Sequence, residues 1–177
     1  SPSSNLSGGN FSSNVAGLAA STTYYYKAYA TNAGGTTYGT QQQFTTAAPS
    51  PALSATALAA FGNVCINTTA GPNSFTITGT ALTNANITVG PLTGFTFSTT
   101  SGGTYTASLN LTQPGGAYSQ QVFVNFTPTL VQSYNGNIPV AGGGATSINV
   151  AASGSGVNTM ASVTTGAASA ITTVSAT

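Results

Sequence analysis

Period-two alternation of β-branched and aromatic residues recurs along the chain, in short segments separated by clusters of Gly, Asn, Pro and Ser. Such alternation is typical of a strand with one buried face, and no segment shows the 3.6-residue period of an amphipathic helix. The sequence therefore predicts an all-β protein. Hydrophobic residues make up 40% of the chain, which is enough to build the core of a β-sandwich.

The same pattern divides the 177 residues into four parts. Residues 1–46 contain three predicted strands, at 10–18, 22–31 and 36–45. Residues 47–51, Ala-Ala-Pro-Ser-Pro, form a predicted linker, because proline removes ladder donors and favours extended backbone. Residues 52–157 are predicted to form a sandwich of nine strands, at 53–58, 62–67, 74–81, 86–89, 95–98, 104–112, 119–127, 134–140 and 147–152. Alternation predicts that its core is formed by Phe75, Ile77, Gly79, Leu109, Leu111, Val122, Val124 and Phe126. Residues 158–177 contain two more, at 162–165 and 170–175, which are too few for a stable domain.

Charged side chains are almost absent, since the chain has one lysine, Lys27, and no Arg, Asp, Glu or His. General acid–base catalysis relies on such groups, and sites for hard cations need several carboxylates. We therefore expect no enzymatic activity, no metal and no cofactor. Nucleic acid is not an expected partner, since phosphate neutralisation needs clustered Lys or Arg. The formal net charge of +1 favours self-association over a free monomer.

Lys27 lies between Tyr25 and Tyr29 on a predicted strand, and alternation places all three side chains on the exposed face. Two interpretations remain open. The three residues form a contact patch for a sugar or another subunit, because tyrosine combines apolar area with a hydroxyl group, or they belong to an ordinary cross-strand tyrosine ladder. Exposure on a solvent face argues against a catalytic role for Lys27.

Cys65 is the single cysteine, so it forms neither an intramolecular disulfide nor a zinc site. We expect it to be a small buried residue on a strand, with an intermolecular bridge or a reactive thiol as the alternatives. Three glycines at 142–144 lack the context of a phosphate-binding loop and are predicted to connect two strands of a hairpin.

Asn-x-Ser/Thr sequences are candidate glycosylation sites, and glycans would help to keep an uncharged surface soluble. Their asparagines are Asn5, Asn10, Asn67, Asn86, Asn110 and Asn125. No membrane span is expected, because the apolar runs are far shorter than about 20 residues. The first residues lack the basic start and apolar core of a signal peptide, so we expect any such segment to be removed or to precede Ser1.

Leu18, Thr22 and Tyr24 have the spacing of a tyrosine corner, followed by YYYKAYATN at residues 24–32, two glycines at 34–35 and FTT at 44–46. This region resembles the second half of a fibronectin type III domain, with Ala20 where that family usually has proline. The resemblance implies a core-facing set and a solvent-facing set. The core-facing residues are Tyr24, Tyr26, Ala28 and Ala30, and the solvent-facing residues are Tyr25, Lys27 and Tyr29. Residues 164–167 and 170–177 resemble the first two strands of the same kind of domain, so the expected terminal sandwich is split between the two chain ends.

The central part contains six motifs in a fixed order: SFTITGTAL at 74–82, NITV at 86–89, GFTFS at 94–98, VFVNFTPT at 122–129, SYNGNI at 133–138 and VAASGSGV at 150–157. This order resembles the immunoglobulin-like repeats of very large secreted surface proteins of Bacteroidota. The chain departs from those repeats at Asn125, where they often have arginine, and at Phe97, in a region that is often acidic.

These resemblances imply a secreted protein at the cell surface, and the leading expectation is a structural subunit or repeat unit of an extracellular bacterial fibre. Either the chain is a window on a longer tandem repeat, or copies exchange strands. In the exchange, a terminal segment of one copy would pair beside the strands within residues 10–45 of the next. That segment comprises the predicted strands at 162–165 and 170–175, and its candidate interface residues are Ser162, Val163, Thr164, Ile171, Thr173 and Val174. The alternatives are an adhesin module that binds surface glycans and an accessory domain of a secreted enzyme.

Overall fold

The structure is a computed structural model and describes residues 12–158. These residues form fourteen strands and contain no helix, which confirms the predicted all-β class. The chain separates into two compact units between Ser50 and Pro51, within the stretch predicted as a linker. The predicted strands at 162–165 and 170–175 lie outside the described residues.

The first unit contains one long antiparallel hairpin. Its strands are β1 (Thr23–Tyr26), β2 (Tyr29–Asn32), β3 (Gly35–Tyr38) and β4 (Gln42–Thr45). β2 pairs with β3 at the closed end of the hairpin, and β1 pairs with β4 at its open end. Between the two ladders the Gly39 amide donates a 2.8 Å hydrogen bond to the Ala28 carbonyl. This bond keeps the two arms of the hairpin together across a bulge.

The prediction of a strand at residues 10–18 is wrong for its described part, because residues 12–18 contain no strand. Gly17 has a φ of 75°, in the left-handed region, which an extended strand does not allow. The two following predictions, at 22–31 and 36–45, cover the two arms of the hairpin, and the bulge divides each arm into two short strands.

The second unit contains ten strands. They are β5 (Ala52–Ala55), β6 (Asn63–Cys65), β7 (Ala70–Leu82), β8 (Ile87–Val89), β9 (Phe95–Ser98), β10 (Leu109–Leu111), β11 (Gly116–Phe126), β12 (Gly136–Gly142), β13 (Ala145–Ala152) and β14 (Ser155–Val157). Two four-stranded antiparallel sheets, in the orders β5-β7-β11-β9 and β10-β8-β12-β13, face each other as a β-sandwich. β6 and β14 form a separate parallel pair.

One hydrophobic core fills the space between the two sheets. The alternating residues predicted to face inward on β7 and β11 are fully buried, which confirms that part of the sequence analysis: Phe75, Ile77, Val122, Val124 and Phe126. The facing sheet contributes Ile87, Val89, Ile138 and Val140, also fully buried. An aromatic cluster closes one end, where the Phe95 and Phe126 ring centroids are 4.8 Å apart and Tyr134 lies 5.4 Å from Phe126. Burial of these side chains provides the main favourable free energy of folding.

Hydroxyl pairs link neighbouring strands on the exposed faces of both units. Ser54 and Thr78 are 2.7 Å apart on β5 and β7, and Thr69 and Thr127 are 2.8 Å apart beside β7 and β11. In the hairpin, Thr23 pairs with Thr45 at 2.9 Å, and Thr31 pairs with Thr36 at 2.8 Å. These cross-strand bonds take the place that ion pairs occupy in ordinary sheets.

Candidate assembly surface on the hairpin

The β1–β4 ladder places three aromatic rings on one face of the hairpin. Tyr24 stands directly opposite Phe44, and Tyr26 lies two residues further along the same face of β1. The Tyr24 and Phe44 rings are stacked with centroids 5.9 Å apart, and the Tyr26 ring meets Phe44 edge-on at 6.3 Å. We call these three residues the aromatic face.

The aromatic face remains open to solvent, although its composition is that of a core. Tyr26 is 55% exposed, Phe44 is 43% exposed, and Tyr24 is half-buried. Ala28 and Ala30 are exposed as well. The implication that Tyr26, Ala28 and Ala30 face a core is therefore wrong for the described residues, because the four strands of the first unit form a single two-stranded layer.

Tyr24 also fixes the chain that leads into β1. Its hydroxyl oxygen accepts a 2.8 Å hydrogen bond from the Ala19 amide. The Thr46 hydroxyl accepts a 2.9 Å bond from the Thr22 amide and donates a 2.7 Å bond to the Ala19 carbonyl. The segment before β1 is thus tied to the end of β4, which holds the aromatic face in a defined position.

Tyr25, Lys27 and Tyr29 are all exposed, but they do not lie on one regular strand. Tyr25 is 64% exposed and belongs to β1, whereas Tyr29 begins β2 beyond the bulge. Lys27 lies in the bulge itself, between the two strands. Tyr29 packs against Tyr38 of β3 instead, with ring centroids 5.9 Å apart.

The candidate glycosylation sites have different environments. Asn67, Asn86 and Asn110 are exposed. Asn125 is half-buried on β11, and its side-chain oxygen is buried without a hydrogen-bond partner. Asn5 and Asn10 lie outside the described residues, as do Ser162, Val163, Thr164, Ile171, Thr173 and Val174.

Two residue predictions in the second unit have clear outcomes. Cys65 is half-buried rather than buried, and its sulfur lies 3.9 Å from the Asn158 carbonyl oxygen at the end of the β6–β14 pair. The predicted glycine connection is confirmed, since Gly143 and Gly144 join β12 to β13 with φ values of 61° and 72°.

Sequence reasoning did not single out Phe44 or Tyr38, which the structure pairs with Tyr24 and Tyr29. Alternation in the sequence shows that each of these residues lies on a strand. Which residue stands opposite it on the other arm depends on the register of the hairpin. The turn at Asn32–Gly35, which the sequence predicts, fixes the register that pairs Tyr29 with Tyr38. The bulge then shifts it by one residue before Phe44, and this shift has no clear mark in the sequence.

The described part of the chain contains no helix that is long and apolar enough to cross a membrane. Between residues 12 and 158 there is also no group of three or more His, Cys, Asp or Glu side chains that would hold a metal ion. No protein-family model matches the chain, and the search of curated proteins gives no match.

Proposed function

We propose that this chain is a structural subunit or repeat unit of an extracellular bacterial surface fibre, assembled through β-strand complementation or tandem repetition. The observation that carries the proposal is the aromatic face, which is exposed to solvent on a two-stranded hairpin. A hairpin of this kind is marginal in water until further strands or a helix pack on its apolar face. The first unit therefore needs strands from elsewhere to complete its fold.

The composition supports assembly rather than chemistry. With Lys27 as the single charged side chain, copies meet without long-range repulsion, and a near-zero net charge promotes association. The secreted, cell-surface location and the bacterial origin rest on the resemblance to immunoglobulin-like repeats of surface proteins. The lack of Asp, Glu, His and Arg, which leaves Lys27 as the single charged side chain, is the reason for proposing a structural protein and not an enzyme.

Two sources of the missing strands belong to the proposal. In strand exchange, residues 162–165 and 170–175 of one copy complete the hairpin of the next, and heterologous pairing extends into a filament. In tandem repetition, the strands come from adjacent repeats of a longer chain. Electron microscopy of native material separates the two arrangements, because the density between successive units is discontinuous in the first and continuous in the second.

Assembly of the purified chain tests the role of the aromatic face. Phe44→Ser removes the central ring of this face, and we expect it to reduce the assembled fraction at least tenfold in sedimentation. The matched control is Tyr25→Ser, which removes a similarly exposed ring from the opposite face of β1 and is expected to leave assembly unchanged. Equal assembly of both variants and the unchanged chain would refute a role of the aromatic face in assembly.

Deletion of residues 160–177 tests the exchange arrangement. If one copy supplies these strands to the next, the shortened chain stays monomeric, and adding the missing segment as a peptide caps the hairpin. Normal fibres from the shortened chain would exclude strand exchange through residues 160–177.

We also propose an alternative function, an adhesin module that binds surface glycans. The specific observation in its favour is the pair Tyr29 and Tyr38, whose adjacent rings are both more than half exposed. Aromatic rings with hydroxyl groups suit neutral sugars, which need no charged partner. Binding of the soluble chain to a glycan array, lost in Tyr38→Ser but kept in Phe44→Ser, would favour this alternative.

A further inference from the structure

β14 is the last strand of the described chain, and β6 holds one of its two sides. The Ser155 amide donates a 2.9 Å hydrogen bond to the Gly62 carbonyl, and the Ile66 amide donates one of the same length to the Val157 carbonyl. Just before this pair, the Phe61 amide donates a 2.9 Å bond to the Ser153 carbonyl. The pairing therefore extends from residue 61 to residue 66.

The other side of β14 is held by residues 132–134. The Gly156 amide donates a 2.8 Å bond to the Gln132 carbonyl, and the Tyr134 amide donates a 2.8 Å bond to the Gly154 carbonyl. Tyr134 is itself anchored, because its hydroxyl oxygen accepts bonds from the amides of Thr129 at 3.1 Å and Leu130 at 2.9 Å. β14 is thus enclosed between two partners.

Close packing fixes the position of β14 along its partners. A Cβ atom at Gly156 would overlap the Leu130 carbonyl oxygen and lie 2.9 Å from the Pro128 Cβ. A Cβ atom at Gly154 would lie 2.6 Å from the edge of the Phe126 ring. Glycine at both positions lets the strand lie against the core without a gap.

The direction of the pair determines how it responds to a pull along the chain. Within the described part of the second unit, such a pull acts at Pro51 and at Asn158. It draws β6 towards its amino end and β14 towards its carboxyl end. Because the two strands are parallel, these directions are opposite along the strand axis, and the interstrand bonds are sheared together. A terminal antiparallel pair would instead open one bond at a time.

We infer that residues 61–66 and 153–157 form a mechanical clamp that lets the sandwich carry tension along the chain. β5 lies ahead of the clamp and pairs with β7, so it is the first strand to feel the pull from the amino side. Its release exposes the side of the core that Leu53 and Ala55 cover but leaves the hydrogen bonds of the clamp in place. The inference concerns the second unit alone and does not depend on the proposed fibre. In a fibre, it would give each unit resistance to extension.

Pulling the full chain in two directions tests the clamp. One arrangement attaches the handles to the chain ends. The other uses Thr100→Cys and Thr146→Cys, two exposed positions of which the first follows the end of β9 and the second lies on β13 of the facing sheet, so the load bypasses the clamp. Both use Cys65→Ser, which prevents attachment at the native thiol. In the first arrangement, unfolding of Pro51–Asn158 is recognised by the release of a segment whose fully extended length is roughly 350–390 Å.

At equal constant force, we expect unfolding through the chain ends to be at least about tenfold slower than through residues 100 and 146. Cys65→Ser lies within the clamp, but both arrangements carry it, so it does not bias the comparison between the two pulling directions. Equal rates, or faster unfolding through the chain ends, would overturn the inference. Loss of fibre assembly would not overturn the inference, because the unfolding rates are measured on single molecules.

Ser155→Pro removes the amide that bonds Gly62 and tests the clamp directly. Its control is a core variant, Val89→Ala, in β8 and away from the clamp. Rates are compared at matched equilibrium stability, by adding urea to the more stable variant. Through the chain ends, Ser155→Pro is expected to unfold about tenfold faster than the control, whereas through residues 100 and 146 the two should agree. The same ratio in both directions would mean general destabilisation and would refute the clamp.

Discussion

Tyr24 and Phe44 stack directly across the open end of the hairpin with ring centroids 5.9 Å apart, yet 43% of the Phe44 surface is exposed. Stacked aromatic pairs are worth about 0.5–1.5 kcal/mol beyond the area they bury, and here much of that area remains in contact with water. The first unit therefore has the side chains of a core without the layer that would cover them. This relationship is the main support for the proposed assembly.

Tyr24→Phe keeps the stacked ring and removes the acceptor for the Ala19 amide. A hydrogen bond of this kind contributes about 1 kcal/mol, so we expect the Ala19 amide to exchange with solvent about fivefold faster. Tyr25→Phe removes a hydroxyl on the other face of the same strand and serves as the control. Unchanged exchange at Ala19 in Tyr24→Phe would show that the hydroxyl does not hold the segment before β1.

Gly156→Ala introduces a Cβ atom where the Leu130 carbonyl and the Pro128 side chain leave no space. Overpacking of this kind costs about 1–3 kcal/mol, which urea unfolding of the second unit would detect. Gly102→Ala is the matched control, because a Cβ atom there meets no atom within 4 Å. A Gly156→Ala variant as stable as the Gly102→Ala variant would mean that β14 is packed more loosely than described.

Phe126→Ala removes a fully buried ring that contacts Phe95 and Tyr134. We expect a loss of about 3–5 kcal/mol in the free energy of unfolding, because the cavity at the closed end of the core cannot collapse fully. Phe123→Ala, on the same strand but with a half-buried side chain, should cost clearly less. Similar losses for the two variants would contradict the assignment of inward and outward faces on β11.

The stability of the sandwich should be flat between about pH 4.5 and 7, because no side chain of this protein has an ordinary pKa in that range. At alkaline pH we expect the stability to fall as Tyr118 ionises, because burial raises the pKa of this side chain in the folded state. A raised pKa contributes stability below the unfolded value of about 10, and that contribution is lost as the pH rises through the folded value. Urea midpoints measured at several pH values provide the check. A change in the urea midpoint between pH 4.5 and 7 would contradict the prediction and would show that a group other than a side chain titrates there.

Alternation in the sequence was enough to predict the class of the fold and the inward residues of the longest strands. On β7 and β11, Phe75, Ile77, Val122 and Val124 follow the period-two pattern without interruption, and all four are buried. β9 was predicted with the bounds it has in the structure, Phe95–Ser98, because glycine and polar residues flank it closely. In these elements, local pattern and tertiary packing agree.

Other elements depend on contacts that a local pattern does not contain. β14, Ser-Gly-Val, has no alternation and was not predicted, since it is a strand only because β6 and residues 132–134 enclose it. Likewise, the alternation that places Tyr24 and Tyr26 on one face is the same whether or not another sheet covers that face. Burial is a property of the whole assembly of strands, and the hairpin of the first unit shows the difference.

The hydroxyl pairs that join the strands, such as Ser54 with Thr78 and Thr31 with Thr36, have no net charge for dissolved ions to screen. Ion pairs on the surface of an ordinary protein weaken as salt is added, whereas these bonds are indifferent to it. The strand pairing within this chain therefore keeps this contribution to its stability in fresh water and in brine alike.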